Sequence, residues 1–218
     1  MVKEIASDLY SVSGKGIYSV PIFVVEKKNG MLTLIDTGLE KDISVIIKKI
    51  RKRWDSLEKI ERIVFTHRHL DHTGGLPTLI YELTTISAPE SPLERIEIIC
   101  HKDEAKYFIE EQEIDPIKPN KLVEHNEIID QELQLRAVHV PGHTYGHICI
   151  LAEKQKLLFL GDTIMHMFFR LQPVFKRFHD DYDLYLKTLN KILDFEWDYA
   201  IPSHMKPVNI PRDRIKLF

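Results

Sequence analysis

The feature that most constrains this chain is a run of four metal-ligand side chains, His67, His69, Asp71 and His72, packed into six positions directly after the strand-like stretch Ile63-Val64-Phe65-Thr66. Turns where a strand leaves its sheet are where sites are built, because the backbone there is free of the ladder and is held by it on one side. His67 and His69 are two residues apart in extended backbone, so both rings project to the same side and can approach one ion. Asp71 and His72 can then serve a neighbouring ion. Imidazole nitrogens mixed with carboxylate oxygens suit zinc, and also manganese or iron, whereas an all-oxygen set would suit calcium or magnesium.

Three further candidates repeat the same placement, each just past an apolar strand: His143 in Pro141-Gly142-His143-Thr144, Asp162 in Gly161-Asp162-Thr163, and His204 in Pro202-Ser203-His204. In a layered sheet the ends of successive strands converge on one edge, so residues distant in sequence meet there. A three-histidine site and an Asp-His-His site, bridged by Asp162, use all seven ligands. The cofactor expected is therefore a pair of divalent cations, zinc first, with iron or manganese as the alternatives.

The rest of the chain supplies a frame of the right kind. Ser19 to Glu26 and Met31 to Asp36 read as strands joined at Asn29-Gly30, a two-residue hairpin signal. From Asp42, the residues Ile43, Ile46, Ile47, Ile50 and Trp54 recur at helical spacing. Strands follow at Ile60 to Thr66 and Ile96 to Cys100, each leading into a segment with helical character, Leu76 to Leu83 and Asp103 to Glu111. The second half returns to strands at Leu133 to Val140, His147 to Ala152 and Leu157 to Leu160, then a helix around Tyr185 to Leu193 and a last strand ending near Ser203. This alternation predicts an α/β layered fold. The Pro- and Ser-containing stretches Ser87 to Pro92 and Asp115 to Asn120 read as loops within one domain, 1–218. Leu32-Thr33-Leu34-Ile35-Asp36-Thr37 resembles Leu158-Phe159-Leu160-Gly161-Asp162-Thr163, a hint of internal duplication.

With its ligands in this order the chain resembles the metallo-β-lactamase superfamily, whose hallmark is His-x-His-x-Asp-His followed by a downstream His, an Asp and a final His. Every position is filled, and the resemblance covers nearly the whole chain. It implies a four-layer αβ/βα sandwich, two mixed β-sheets flanked by helices, with the metals at one edge between the sheets. It also implies that His67, His69 and His143 bind the first metal, Asp71, His72 and His204 the second, with Asp162 bridging. The family's earlier Asp matches Asp36, which the resemblance casts as support for the ligands rather than as one of them. Only fourteen residues follow His204, so the C-terminal helical region of a glyoxalase II-like metallohydrolase is expected to be absent.

In such a centre the nucleophile is a hydroxide bridging two metals, because metal charge lowers the pKa of bound water. Asp71 is placed to orient that water or shuttle its proton and is the catalytic candidate. The stretch Thr163 to Asp183 follows a ligand and mixes rings with cations, among them Phe168, Arg170, Phe175, Lys176, Arg177 and Phe178. It reads as a wall for a small substrate with an apolar part and an anionic end; the alternatives are an ordinary core segment or the contact of a homodimer. Tyr145 is a further substrate-contact candidate. His147 opens a strand and reads as a packed core histidine, and His101, His125, His139, His166 and His179 carry no motif.

The function expected is hydrolysis of a small ester-type substrate, a thioester, lactone or related compound. The different-class alternative is an oxidoreductase like persulfide dioxygenase, which uses one iron; a phosphodiesterase or nuclease is next, from the basic face Lys48, Lys49, Arg51, Lys52 and Arg53. His69 stands where flavodiiron proteins carry Glu, which argues against an oxygen-reducing flavoprotein. A net charge of −3 gives no general attraction to nucleic acid or anionic lipid. Charges near the N-terminus and the lack of a stretch of about 20 apolar residues point to the cytoplasm. Cys100 and Cys149 lie in apolar runs and are expected to be buried, reduced thiols.

Overall fold

Strands that carry apolar residues on both faces need cover on both sides, and that requirement sets the layers of this fold. The computed structural model describes residues 2–15, 19–86, 92–110, 117–167, 170–204 and 209–215. Its first sheet runs in order β1 (Val2–Ala6), β2 (Leu9–Val12), β3 (Ile22–Glu26), β4 (Leu32–Ile35), β5 (Ile60–Val64), β6 (Glu97–His101) and β7 (Lys121–Val123). The first four strands pair antiparallel and the rest parallel. The second sheet is assembled from β8 (Ile128–Asp130), β9 (Leu135–His139), β10 (Ile148–Ala152) and β11 (Leu157–Phe159). A two-stranded ribbon, β12 (Ile164–Met167) with β13 (Arg170–Pro173), precedes its last strands, β14 (Tyr199–Ile201) and β15 (Ile210–Pro211).

Residue alternation assigns each face its neighbour. Ile22, Val24, Leu32, Leu34, Ile63 and Ile98 pack outward beneath α1 (Glu40–Trp54), from which Ile43, Ile46, Ile47, Ile50 and Trp54 point inward. Phe23, Val25, Ile35, Val64 and Ile99 face the other way, onto Leu135, Ala137, Ile148, Ile150, Leu157 and Phe159 of the second sheet. The opposite face of that sheet offers Val138, Cys149, Leu151 and Leu158 to Tyr185, Leu189, Ile192 and Trp197. The result is helix, sheet, sheet, helix: two mixed sheets flanked by helices, as the resemblance implied.

Shorter helices complete the outer layers: α2 (Leu70–Thr73), α3 (Leu76–Ile86), α4 (Pro92–Arg95), α5 (Ala105–Glu110) and α6 (Tyr182–Thr188). Several differ from the sequence expectation. Pro92 opens α4 rather than closing a loop, since a missing N–H costs nothing in a first helical turn; residues 87–91 lie outside the described residues. The helix expected around Tyr185 to Leu193 begins earlier, where the Asp181 carboxylate accepts the Leu184 N–H at 2.8 Å, and tightens to a 3₁₀ turn from Leu189. The two segments of similar sequence, ending at Asp36 and Asp162, hold equivalent positions. β4 and β11 each pair antiparallel with the strand before and parallel with a strand after.

Cys100 and Cys149 sit in different outer layers, each fully buried and unpaired. Burial pushes both thiols up to about 12, so at pH 8 only about one in ten thousand is thiolate. A chromogenic disulfide reagent is expected to titrate no thiol in the native protein within minutes and two after denaturation. Prompt native reaction would contradict the packing.

Candidate metal centre

The seven ligand candidates come from the carboxyl ends of strands in both sheets, and the structure brings all of them to one edge. His67, His69 and His143 form one group and Asp71, His72, Asp162 and His204 another, with the ligand atoms of each group within 4.8 Å of one another. The first turn is shaped by its own backbone. His69 stands at the start of α2, where its carbonyl accepts the N–H groups of His72 at 2.9 Å and Thr73 at 3.0 Å, and the Thr73 hydroxyl donates to the Arg68 carbonyl at 3.0 Å. Gly75 lets this turn close on the first sheet, since a Cβ there would lie 2.5 Å from the Thr37 carbonyl.

In the three-histidine group, His69 Nδ1 lies 3.1 Å from His67 Nε2 and 3.1 Å from His143 Nε2. Ligand nitrogens 2.0–2.1 Å from a tetrahedral zinc stand about 3.3 Å apart, so this spacing fits the ion. Burial holds His67 and His143 well below the usual imidazole range, and His69 is lowered for the same reason. Neutral imidazoles with free lone pairs are what a cation requires.

The second group has the opposite electrostatics. His72 Nε2 lies 3.2 Å from Asp162 Oδ1, and His204 Nε2 lies 3.0 Å from Asp162 Oδ2 and 3.4 Å from Asp71 Oδ2. Asp162 Oδ2 is also 3.6 Å from His143 Nε2, so this one carboxylate reaches both groups. Burial opposes charge on His72, but Asp36, Asp71 and Asp162 outweigh it and raise the imidazole well above its usual range. Asp162 is held low by His204 and His72 against the same burial penalty.

Two atoms test whether cations fit. His72 Nε2 and Asp162 Oδ1 are buried and have no hydrogen-bond partner of acceptable geometry, although they face one another across the group. Buried polar atoms left this way are costly, and a divalent ion between them would satisfy both. His72 is meanwhile fixed from behind. Its Nδ1 lies 2.7 Å from Asp36 Oδ2, and Asp36 Oδ1 accepts the Thr66 N–H at 2.8 Å. Asp36 thus steadies a ligand candidate from behind.

Other placements depart from the sequence reading or extend it. His147, read as a core histidine, is fully buried, with its pKa pushed by burial down to about 3. It also holds a ligand candidate, since its Nε2 accepts the Asp162 N–H at 3.0 Å. The signal available was its position four residues after His143. His179 packs its ring on His143 at 5.2 Å and on Tyr185 at 4.3 Å. Arg68, Glu104 and Asp180, which tie the ligand loops together, carried no motif at all. Tyr145 is 40% exposed beside the site, its N–H donated to Asp180. In the stretch 163–183, Ile164 and Val174 are buried, whereas Phe175 and Phe178 are about half exposed with the Arg177 guanidinium over both rings. Phe168 and the side chain of Arg170 lie outside the described residues.

A third group, His101, Asp103 and His139, also brings ligand atoms within 4.8 Å. Its two imidazoles are stacked at 3.7 Å and 19°, so their in-plane lone pairs run side by side rather than converging. His101 Nδ1 accepts the Asp103 N–H at 3.2 Å, and His139 Nε2 donates to the Tyr145 carbonyl at 2.9 Å. This is a stacked pair rather than a cage.

A beta-lactamase-like protein 2 homolog of Drosophila melanogaster is 29% identical over 189 residues, 85% of this chain and 58% of that one. A hydroxyacylglutathione hydrolase of Buchnera aphidicola subsp. Schizaphis graminum is 30% identical over 149 residues, 66% of this chain and 46% of that one. The chain therefore spans about half the length of these curated relatives. Among solved structures, a beta-lactamase domain protein from Burkholderia ambifaria superposes with a TM-score of 0.71 at 18% identity, covering 98% of this chain and 74% of that one, a likeness of fold. The sequence profile of the metallo-beta-lactamase superfamily runs from residue 16 to residue 204, its last matched position being the final histidine of the edge, and the chain belongs to that superfamily.

Proposed function

We propose that this chain is a metal-dependent hydrolase of small ester-type substrates, thioesters or lactones above all. Two zinc ions would be held at the edge of one domain, 1–218. The observation that carries the proposal is the shared reach of Asp162: a single carboxylate lies within 3.6 Å of a nitrogen in each group, the arrangement a paired centre needs. His67, His69 and His143 would hold one ion, and Asp71, His72 and His204 the other. Bound there, the ions would lower the pKa of water and polarise a carbonyl.

The chain's own residues do the rest. Asp71, with its side chain 30% exposed, is the carboxylate at the mouth of the second group and can orient a water and take its proton. The half-exposed rings of Phe175 and Phe178, with Lys176 and Arg177 between them, offer apolar surface and positive charge just before His179 in the chain. Such a rim suits an acyl or aryl group bearing an anionic end. The Buchnera relative is named for an acylated glutathione, which is a thioester, and this supports that substrate class.

A nucleic-acid substrate is disfavoured by how the basic helix face is used. Lys49 donates to the Ser13 carbonyl, Arg51 pairs with Glu82 at 2.8 Å, and Arg53 pairs with Tyr10 and Glu26. No described helix is long and apolar enough to cross a membrane, and two buried, unpaired thiols suit a reducing compartment such as the cytoplasm. The test is metal quantification on protein made in defined medium, followed by thioester, lactone and phosphodiester substrates with that metal restored. Two zinc ions per chain and thioester or lactone turnover are expected. One iron per chain with oxygen consumption would replace this reading with the persulfide dioxygenase-like one.

A further inference from the structure

The three-histidine group is assembled from two loops that belong to different sheets: His67 and His69 follow β5, and His143 follows β9. A cation held by three nitrogens tolerates only a few tenths of an ångström in their separation, so something must fix the distance between those loops. The ligand rings do not do it, since the contacts between them are the very contacts the ion would replace.

Glu104, in the turn between β6 and α5, spans the gap. It is fully buried. Its Oε1 accepts the N–H of Arg68, the residue between the two ligands of the first loop, at 2.7 Å. Its Oε2 accepts the N–H of Gly146, three residues past His143, at 2.9 Å. Gly146 comes this close because it has no side chain; a Cβ there would lie 2.4 Å from the Glu104 nitrogen.

Asp180 makes a second strap between the same loops. The Arg68 guanidinium donates to both of its carboxylate oxygens, at 2.8 and 3.0 Å, and the Tyr145 N–H donates to Oδ2 at 3.1 Å. The Asp180 N–H in turn donates to the carbonyl of His143 itself at 3.0 Å. Arg68 Nη1 stands 3.6 Å from Glu104 Oε1, which joins the two straps. Carboxylates accepting several N–H groups make the stronger class of hydrogen bond. These bonds close the span from the His67 loop to the His143 loop; Asp71 and His72 share the first of them, but the second group takes no ligand candidate from the His143 loop.

We propose that Glu104, Arg68 and Asp180 form a clasp that sets the spacing of the three-histidine group, and that they are positioning residues for the cation bound there. The inference rests on the metal-centre reading above and adds a selectivity that reading does not contain: the clasp governs one of the two cations.

The test is stepwise zinc affinity, measured on the full chain by competition with a chromogenic chelator, with the three-histidine step identified as the one that His69→Ala removes. Glu104→Gln keeps the side-chain length but turns an NH₂ toward one of the two amide N–H groups, so one strap opens. It is expected to weaken the three-histidine step by about 10- to 100-fold, the usual cost of losing a support behind metal ligands, and to leave the other step unchanged. Asp180→Asn and Arg68→Lys, which break the bidentate pair, are expected to weaken the same step; they decide the matter if Glu104→Gln fails to fold. Folded variants with both steps at wild-type strength would overturn the clasp. So would equal weakening of both steps in parallel with melting temperature, which is what a merely structural role produces. A wild-type chain that takes up no zinc would instead bring down the metal-centre reading beneath it.

Discussion

Replacing Asp71 with Ala is expected to lower turnover of any ester substrate by about a thousandfold, within the range that loss of a positioned acid–base group commonly gives, and, on the two-zinc reading proposed above, to strip one of the two ions. Both effects follow from where the carboxylate stands. Asp71 Oδ2 is 3.4 Å from His204 Nε2 and 3.8 Å from His72 Nε2, so it closes the second group on its solvent side. His72 is gripped from behind by Asp36, and Asp162 by the N–H it donates to His147; among the described residues Asp71 has no such support, which leaves its carboxylate free to serve water as well as metal. The three-histidine group lacks Asp71 entirely and should keep its ion. Metal content and kcat measured on one preparation separate the possibilities. Normal turnover, or loss of both ions together, would sink the role assigned to Asp71. Melting of the apoprotein should hardly change, because the side chain is partly exposed on a four-residue helix and anchors nothing in the core.

Much of this was legible because four of the seven ligand candidates are local in sequence. His67 to His72 lie on one turn, and strands that are apolar on both faces forecast a buried sheet edge for that turn to sit on. α1 was readable from its 3.6-residue recurrence, and the hairpin before it from Asn29-Gly30, although its turn is longer than the two-residue one that pair suggests: the Gly30 N–H donates to the Lys27 carbonyl at 2.9 Å, the Lys27 N–H to the Met31 carbonyl at 2.8 Å, and Gly30, at φ +81, takes the left-handed position. What escaped reading has physical reasons as well. β1 carries Lys3 and Glu4 exposed at the sheet edge, so its alternation is faint, and β7 and β8 are three residues each, too short for a periodic signal. The clasp was invisible because a buried carboxylate announces itself only through its partners. Glu104 meets Arg68 across 36 positions and Asp180 meets it across 112, and no pattern in the chain links them. His147 escaped for a similar reason, since what it holds is the backbone of Asp162, and backbone leaves no mark in a sequence.

Gly142→Ala is expected to be among the most damaging single substitutions for the fold, although the residue touches no ligand with a side chain. Its backbone sits at φ +127, a region that costs a residue with a Cβ on the order of 1–3 kcal/mol. A methyl group there would lie 2.2 Å from the Tyr185 nitrogen and 2.3 Å from its Cα, atoms of α6 that can yield only by moving the helix. Together these predict a loss of about 3 kcal/mol or more, and with about 2–4 °C per kcal/mol in a chain of this size, a fall in Tm of about 6–12 °C. Gly30→Ala is the control. Gly30 also has a positive φ, +81, but nothing lies within 4 Å of the added carbon, so the strain alone of about 1–2 kcal/mol should appear. The displacement at Gly142 would also travel into the centre. Its carbonyl accepts the Asp181 N–H at 3.0 Å, and the Tyr185 hydroxyl donates to the Thr163 carbonyl at 2.7 Å, next to Asp162. A shifted α6 therefore pulls on His143 from one side and Asp162 from the other, and any folded fraction should bind both ions more weakly. Equal losses of Tm in the two glycine variants would show that backbone strain, and not the close approach of α6, is what Gly142 relieves.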